Sequence, residues 1–203
     1  ITSLIRNILP AEKSVMKNKW NYEPFIGRQI NFLKIGVVGY GRLGSVFLKY
    51  ASIFGSDLYA YDPFKKNKNK KIKFCKSIKE IFKICDIISL HVHVNENTKN
   101  LINKNNLKFL KNGSILINTS RGDLVNEVDL INYLKKFNKS KYGTDVLKNE
   151  ILGIKNNIIY KSSKLKCLTD RILITPHIGG MTKEAQLLAY SYSLKKLLKN
   201  INV

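Results

Sequence analysis

Three kinds of side chain that suit acid–base chemistry on a carboxylate substrate each follow an apolar run of the sequence. His177 lies in LITPHIGG, Arg121 lies in LINTSRGDL, and the carboxylates Asp145 and Glu150 lie in YGTDVLKNE. An imidazole exchanges protons near neutral pH, and a guanidinium binds both oxygens of a carboxylate without losing its charge. A histidine held by a carboxylate could donate a proton to a substrate oxygen or accept one from it.

Each of these residues also has a structural interpretation. His177 follows a Thr-Pro step and precedes two glycines, which is also the pattern of an ordinary strand-to-turn junction. Arg121 could instead pair with a structural acid. From these segments alone the catalytic and the structural interpretations both stay open.

A glycine pattern near residue 40 predicts a binding loop for a dinucleotide. In KIGVVGYGRLG, the glycines Gly39, Gly41 and Gly44 follow an apolar run and open an amphipathic stretch. In a strand–loop–helix unit, the first glycine permits the tight turn, the second lets the backbone approach a pyrophosphate, and the third allows the helix to pack closely on the strand. The free N–H groups and the dipole at the helix start then favour the phosphates.

An acidic residue at the end of the next apolar run indicates which dinucleotide binds. Asp62, in LYAYDP, lies 18 residues after Gly44. A carboxylate there can accept hydrogen bonds from both ribose hydroxyls of NAD and would repel a 2′-phosphate. Lys65 and Lys66 lie close in sequence and weaken the discrimination, but the pattern favours NAD.

The candidate residues need a framework that brings the ends of several apolar runs together. The runs predict strands at 33–38, 58–61, 86–90, 114–118, 141–144 and 172–175. Helical patterns are found at 42–54, 77–84, 104–110, 126–137, 157–167 and 182–200. Near-continuous apolar strands alternating with helices favour an α/β fold, a Rossmann-type doubly wound parallel sheet. The ligand crevice of such a sheet lies at the carboxyl ends of its strands, where the candidate residues fall.

The composition limits the possible partners. Lys and Arg number 36 against 14 Asp and Glu, a formal charge of +22, but only five of the basic residues are arginine. Because arginine makes the bidentate contacts to bases and the lysines are spread along the chain, we predict no specific nucleic-acid binding. No apolar run reaches the roughly 18 residues of a membrane span. Three cysteines without a CxxC pair favour reduced thiols in a cytoplasmic protein.

The sequence resembles the D-isomer-specific 2-hydroxyacid dehydrogenase family, which includes D-3-phosphoglycerate dehydrogenase, from about residue 15 to the end of the chain. Six ordered blocks carry the resemblance: GRQINFLKIGVVGYGRLG, YDP, LHVHVNENTKNLIN, LINTSRGDLVNEVDL, TDVLKNE and ILITPHIGG. The resemblance implies that Arg121 binds the substrate carboxylate, that Glu150 orients the histidine and that His177 is the catalytic acid and base. It also implies that Asp145 contacts the nicotinamide carboxamide.

The resemblance implies NAD as the cofactor, a D-2-hydroxy acid or its 2-oxo acid as the substrate, and a homodimer. The residues expected to bind the cofactor are Gly39, Gly41, Arg42, Leu43, Gly44, Asp62, His91, Thr119, Ser120, Asp145, Gly179 and Gly180. The alternatives that stay open are an NAD(H)-sensing binding module, like a transcriptional co-repressor of the family, and a fragment without turnover.

Two positions depart from the family pattern. Ile151 follows Glu150 where the family usually has proline, and His93 stands where proline is common. The spacing His91-x-His93 would place both rings on one face of a strand, and two imidazoles at that spacing could bind a metal. No third ligand lies nearby in the sequence, so we expect no metal site and place His91 at the nicotinamide pocket.

The resemblance also predicts the domain organisation. Residues 1–29 would form a connector helix and linker, and residues 30–180 the NAD-binding Rossmann domain. Residues 181–203 would form a helix that returns toward a substrate domain, the N-terminal part of which is absent from this chain.

Overall fold

Seven parallel strands form the centre of the protein. The structure, a computed structural model, describes residues 1–65 and 69–201, so Lys66 and the last two residues of the predicted C-terminal segment lie outside it. The strands are β1 (Lys34–Val38), β2 (Asp57–Tyr61), β3 (Ile72–Phe74), β4 (Ile87–Leu90), β5 (Ile115–Asn118), β6 (Lys141–Thr144) and β7 (Ile172–Ile174). They form one sheet in the order β3-β2-β1-β4-β5-β6-β7.

Helices connect the strands and cover both faces of the sheet. They are α1 (Thr2–Ile5), α2 (Ile8–Val15), α3 (Arg42–Ala51), α4 (Ile78–Ile84), α5 (Lys104–Leu107), α6 (Glu127–Lys136), α7 (Ile158–Ser163) and α8 (Lys183–Ile201). The predicted α/β fold with a doubly wound parallel sheet is therefore confirmed.

The six predicted strands are confirmed to within one residue at each end, but β3 was not predicted. It is a three-residue edge strand, Ile72-Lys73-Phe74, at the end of a lysine-rich run. Ile72 pairs with Leu58 and Phe74 with Ala60 of β2. Because the strand is short and its surroundings are charged, the apolar pattern is too weak to distinguish it from a loop.

Three helices are shorter than predicted. The α-helix expected at 42–54 ends at Ala51, and Ser52–Phe54 continue the chain as a 3₁₀ turn. The helix expected at 104–110 ends at Leu107, because Phe109 N and Leu110 N bond to carbonyls three residues back rather than four. The helix expected at 157–167 ends at Ser163, whose hydroxyl donates to the carbonyl of Tyr160 at 2.8 Å. Such local bonds compete with continuation of an α-helix.

The register of the sheet brings one group of predicted residues to a single edge. Val38, the last residue of β1, pairs with Tyr61 of β2 and with Leu90 of β4. The residues that follow, Gly39, Asp62 and His91, therefore leave the sheet side by side. Strand order reverses between β1 and β4, which makes this the crevice where a doubly wound sheet binds its ligand.

The other half of the sheet ends at the same edge. Asn118 of β5 pairs with Thr144 of β6, and Thr144 pairs with Ile174 of β7. The segments that carry Arg121, Glu150 and His177 therefore start from neighbouring positions.

The core has two layers, one on each face of the sheet. Alternate strand residues enter opposite layers: Val37 packs in the layer with Leu48 of α3, and Val38 packs in the layer with Phe82 of α4. The connector contributes as well, because Leu4 of α1 is only 6% exposed and belongs to the first layer. Burial on both faces explains why the strands are apolar throughout.

The two ends of the chain differ in how they contact the sheet. Lys141 Nζ of β6 donates to Leu4 O at 2.6 Å and to the side chain of Asn7, which joins the connector to the sheet. In α8, by contrast, every side chain from Lys183 to Lys199 is exposed.

No helix in the described part of the chain combines the length and apolarity needed to cross a membrane. The domain boundaries at residues 29 and 180 stay a prediction.

Candidate active site

His177 and Glu150 form a close pair, although 27 residues separate them in the chain. The distance from His177 Nδ1 to Glu150 Oε1 is 2.5 Å. The other carboxylate oxygen, Oε2, accepts the backbone N–H of Leu147 at 2.7 Å. The side chain of His177 remains 50% exposed, so its second ring nitrogen, Nε2, is available to a substrate.

A buried carboxylate holds the loop that carries His177. Asp145 Oδ1 accepts the hydroxyl of Thr175 and the N–H of Ile178, and Oδ2 accepts the N–H of Gly179 at 2.7 Å. Burial tends to raise the pKa of Asp145, but the hydrogen bonds from Thr175, Ile178 and Gly179 outweigh it and lower the pKa. Asp145 is therefore an anion that holds the side chain of Thr175 before His177 and the backbone of Ile178 and Gly179 after it.

Arg121 lies on a turn built by the last residue of β5. Asn118 is fully buried, donates from Nδ2 to Arg121 O at 2.9 Å and accepts Ser120 N at 3.1 Å. Ser120 in turn donates its hydroxyl to Leu90 O at 2.7 Å, while Thr119 is exposed. The guanidinium is exposed, contacts Ser120 O through Nη1, and forms no ion pair with an acidic side chain in the described part of the chain.

Close backbone packing brings the Arg121 turn beside the Glu150 loop. A Cβ added to Gly122 would lie 2.2 Å from the carbonyl carbon of Leu147 and 2.3 Å from the nitrogen of Lys148. Only glycine fits at this distance, because a backbone atom cannot move aside as a flexible side chain can. The structure thus brings the segments of Arg121, Glu150 and His177 together.

The three glycines of the loop after β1 have different environments. Gly39 has φ +96° and lies against the carbonyl of His91, and a Cβ on Gly44 would lie 2.1 Å from Gly39 O. Gly41, in contrast, has no heavy atom within 4 Å of an added Cβ. No side chain caps the first turn of α3, which starts at Arg42 and continues through Leu43. An open position before uncapped N–H groups suits an anion such as a pyrophosphate.

Asp62 joins the end of β2 to this loop. Its Oδ2 accepts Tyr40 N and its Oδ1 accepts Phe64 N, both at 2.9 Å. Each carboxylate oxygen keeps a second lone pair, which leaves it able to accept a ribose hydroxyl.

His91 is the third group at this edge of the sheet. Burial lowers its pKa to about 4, because the charged imidazolium is disfavoured away from water, so the ring is neutral near pH 7. The ring packs against Phe47 with centroids 5.2 Å apart, and its buried Nε2 has no hydrogen-bond partner among the described residues. His93 is exposed, and the described residues contain no group of three potential metal ligands.

Two further residues shape the site and were not assigned a role from the sequence. Asn118 is the first residue of the segment NTSRG (118–122). An asparagine at such a position favours a turn that its own side chain holds by hydrogen bonds to the backbone. Thr175 precedes Pro176, and its bond to Asp145 has no signal in the sequence because the two lie 30 residues apart.

The two predicted glycines after His177 have different surroundings. Gly179 lies against Asp145, and Gly180 has open space around it.

A cavity of about 670 Å³ extends from the His177–Glu150 pair toward the connector. Its walls include Leu4 of α1, Tyr160 of α7 and Ile174 of β7. The pair therefore borders an open space of the size that small-molecule sites have.

The chain is similar to dehydrogenases over almost its whole length. The family model for the D-isomer specific 2-hydroxyacid dehydrogenase, NAD binding domain, matches residues 1–179. D-3-phosphoglycerate dehydrogenase of Haemophilus influenzae is 35% identical over 186 residues, which cover 92% of this chain and 44% of that protein. Hydroxypyruvate reductase of Thermotoga maritima is 30% identical over 198 residues, which cover 98% of this chain and 62% of that protein.

Solved structures share the fold. D-Lactate dehydrogenase of Aquifex aeolicus, in complex with NAD and lactic acid, superimposes with a TM-score of 0.85 at 28% identity. The match covers 98% of this chain and 63% of that one. The chain thus spans less than two thirds of the length of these relatives.

Proposed function

The chain belongs to the D-isomer specific 2-hydroxyacid dehydrogenase family as its NAD-binding domain, and we propose that the whole protein interconverts a D-2-hydroxy acid and its 2-oxo acid. The NAD prediction is confirmed, since the matched domain is the NAD-binding one. The observation that carries the proposal is the 2.5 Å contact between His177 Nδ1 and Glu150 Oε1. The homodimer and the cytoplasmic location stay predictions.

His177 is the proton carrier in this proposal. Because Glu150 accepts the Nδ1 proton, the neutral ring presents the lone pair of Nε2, which can take the hydroxyl proton of a 2-hydroxy acid. In the reverse direction the charged ring returns the Nε2 proton to the oxygen of a 2-oxo acid. Glu150 acts by fixing the orientation and the tautomer of the ring.

Arg121 binds the substrate carboxylate. Its guanidinium is exposed on the turn that packs beside the Glu150 loop and has no acidic partner there. A bidentate contact to both carboxylate oxygens would hold the neighbouring carbon at a defined position relative to His177.

The residues at the β1–α3 loop fit NAD. We assign Gly39, Gly41, Arg42, Leu43 and Gly44 to the pyrophosphate, since Gly41 is open and the start of α3 is uncapped. Bound NAD would supply the hydride acceptor, or as NADH the hydride donor.

Residues at the same edge of the sheet are assigned to the ribose and the nicotinamide of the cofactor. We assign Asp62 to the ribose hydroxyls and Asp145 to the nicotinamide carboxamide. A carboxylate can accept hydrogen bonds from its own loop and from a ligand at the same time, because each oxygen has two lone pairs. The remaining predicted cofactor contacts are His91, Thr119, Ser120, Gly179 and Gly180.

The proposal is tested by turnover in the whole protein that contains this chain. NADH oxidation is followed with a panel of 2-oxo acids for the wild type, His177→Ala and the control His93→Ala, which changes an exposed histidine. We expect His177→Ala to lower kcat by roughly 10²- to 10⁴-fold, the usual contribution of a general acid–base. NADH affinity should stay within about twofold, because the contacts assigned to the phosphates and ribose are unchanged.

Two results would contradict the proposal. Unchanged turnover in His177→Ala would remove the assigned acid–base. Tight NADH binding with no turnover of any 2-oxo acid would instead favour the NAD(H)-sensing module.

A further inference from the structure

We propose that Glu127 and Asn157 are positioning residues that hold Glu150 in the orientation His177 needs. Glu127 opens α6 and Asn157 precedes α7, whereas Arg121, Glu150 and His177 lie on the loops that follow β5, β6 and β7. The proposal rests on the proposed function of the His177–Glu150 pair and adds a side-chain link behind it.

The link consists of a carboxylate and an amide in direct contact. Asn157 Nδ2 lies 2.9 Å from Glu127 Oε1 and 2.9 Å from Oε2, so the amide donates to the carboxylate. Glu127 Oε1 also accepts the backbone N–H of Lys148 at 3.1 Å. Hydrogen bonds to a charged acceptor are shorter and stronger than neutral ones, which suits a rigid support.

Lys148 is the point at which this link reaches the catalytic pair. It is followed by Asn149, whose φ of 56° is left-handed, and then by Glu150. Leu147, just before it, donates its N–H to Glu150 Oε2 at 2.7 Å. Any displacement of Lys148 therefore moves the residues that set both the backbone and the side chain of Glu150.

The segment 147–150 is held by two different contacts. Gly122 packs against the backbone of Leu147 and Lys148, and Glu127 bonds to the N–H of Lys148. Gly122 prevents the segment from moving toward the Arg121 turn, whereas Glu127 prevents it from moving away. With one of the two removed, the segment loses its fixed position.

Asn157 has a second role that a test must keep separate. Its Oδ1 accepts Tyr160 N at 3.1 Å and so caps the N-terminus of α7. Asn157→Ser keeps this cap, because serine is a good capping residue, but its side chain is too short to reach Glu127. Asn156→Ser is the matched control, since Asn156 is exposed and its side chain, among the described residues, accepts a hydrogen bond only from Lys161 Nζ.

The first measurement uses the 203-residue chain and does not depend on turnover. The chain has only three histidines, so ¹⁵N shifts of the imidazole nitrogens report the His177 tautomer directly. A Glu150→Ala variant gives the tautomer ratio of a ring without its partner. We expect the Nδ1–H form to dominate in the wild type and in Asn156→Ser, and Asn157→Ser to move toward the Glu150→Ala ratio.

The second measurement uses the whole protein. A loosened Glu150 should lower kcat by between about 10- and 100-fold, as for other misplacements of reacting groups, with the KM for NADH unchanged. If Asn157→Ser lowers the folded fraction, Glu127→Gln replaces it. That variant keeps the side-chain length but removes one of the two oxygens of residue 127 that accept from Asn157, and leaves the weaker contact of Asn157 Nδ2 with Lys148 O at 3.4 Å.

The outcomes separate the two proposals. A tautomer ratio and a kcat equal to those of the wild type, with only the melting temperature lowered, would overturn the positioning role. A change in tautomer in Asn157→Ser, in a protein whose His177→Ala variant is fully active, would support the link and reject the proposed function.

Discussion

At the scale of single residues, His177 is unusual in its backbone. Five non-glycine residues among those described have positive φ; four are asparagines, Asn7, Asn18, Asn100 and Asn149, and the fifth is His177. Asparagine tolerates this region, whereas a residue without a short bonding side chain is destabilised there by roughly 1–2 kcal/mol. The N–H groups of Ile178 and Gly179 donate to Asp145, and these hydrogen bonds offset the strain. Such strain concentrates at functional sites.

This strain leads to a prediction about stability. His177→Gly and His177→Ala both remove the imidazole, but only the glycine variant also removes the backbone strain. We expect His177→Gly to be more stable than His177→Ala by about 1 kcal/mol, measured by urea unfolding. At Asn132, an exposed position in the middle of α6, the order should reverse, because glycine costs about 1 kcal/mol relative to alanine inside a helix. Equal stability of the two His177 variants would mean that the loop relaxes without strain.

At the scale of elements, the β1–α3 unit separates stability from binding. Gly44 packs on Gly39 within the loop, whereas Gly41 faces open space. We therefore expect Gly44 to act on binding through the packing of the loop, and Gly41 to act on binding directly.

A pair of alanine variants tests this division. Gly44→Ala should lower both the melting temperature and NADH affinity, since the new methyl group would lie 2.1 Å from a backbone oxygen. Gly41→Ala should leave the melting temperature within about 2 °C of the wild type but weaken NADH binding at least about tenfold, because the methyl group occupies the approach of the pyrophosphate. Calorimetry and a fluorescence titration with NADH give the two values. Unchanged NADH binding in Gly41→Ala would show that the phosphates lie elsewhere.

At the scale of the whole molecule, the two ends of the chain contribute unequally to the fold. Leu4 and Ile5 of α1 are each 6% exposed and lie in the core layer with α3. The side chains of α8 are exposed as far as Lys199, including large apolar ones such as Leu187, Tyr190 and Leu194.

Truncation should reveal this difference. Removal of residues 183–203 should change the melting temperature by less than about 2 °C and leave NADH binding intact, because the described side chains of this segment, Lys183 to Lys199, are all exposed. Removal of residues 1–7 should lower the melting temperature by about 10 °C or more, since two buried aliphatic side chains contribute several kcal/mol. A large loss of stability on removal of 183–203 would show that α8 packs on the body of the protein.

The sequence by itself determined the local features of this protein. Continuous apolar runs marked six of the strands because a strand buried on both faces has no polar side to interrupt it. The glycine pattern Gly39–Gly44 and the candidate residues Arg121, Glu150 and His177 were visible because each requires a residue type at a fixed local spacing. The edge strand β3 escaped because only three residues form it, in a charged context.

Only the tertiary structure decided which of these residues meet. The contact of His177 with Glu150 joins positions 27 residues apart, and that of Glu127 with Asn157 joins positions 30 residues apart. The approach of Gly122 to the backbone of Leu147 is of the same kind. Such contacts follow from strand order and from the packing of α6 and α7 on the sheet, and local sequence periodicity carries no information about either.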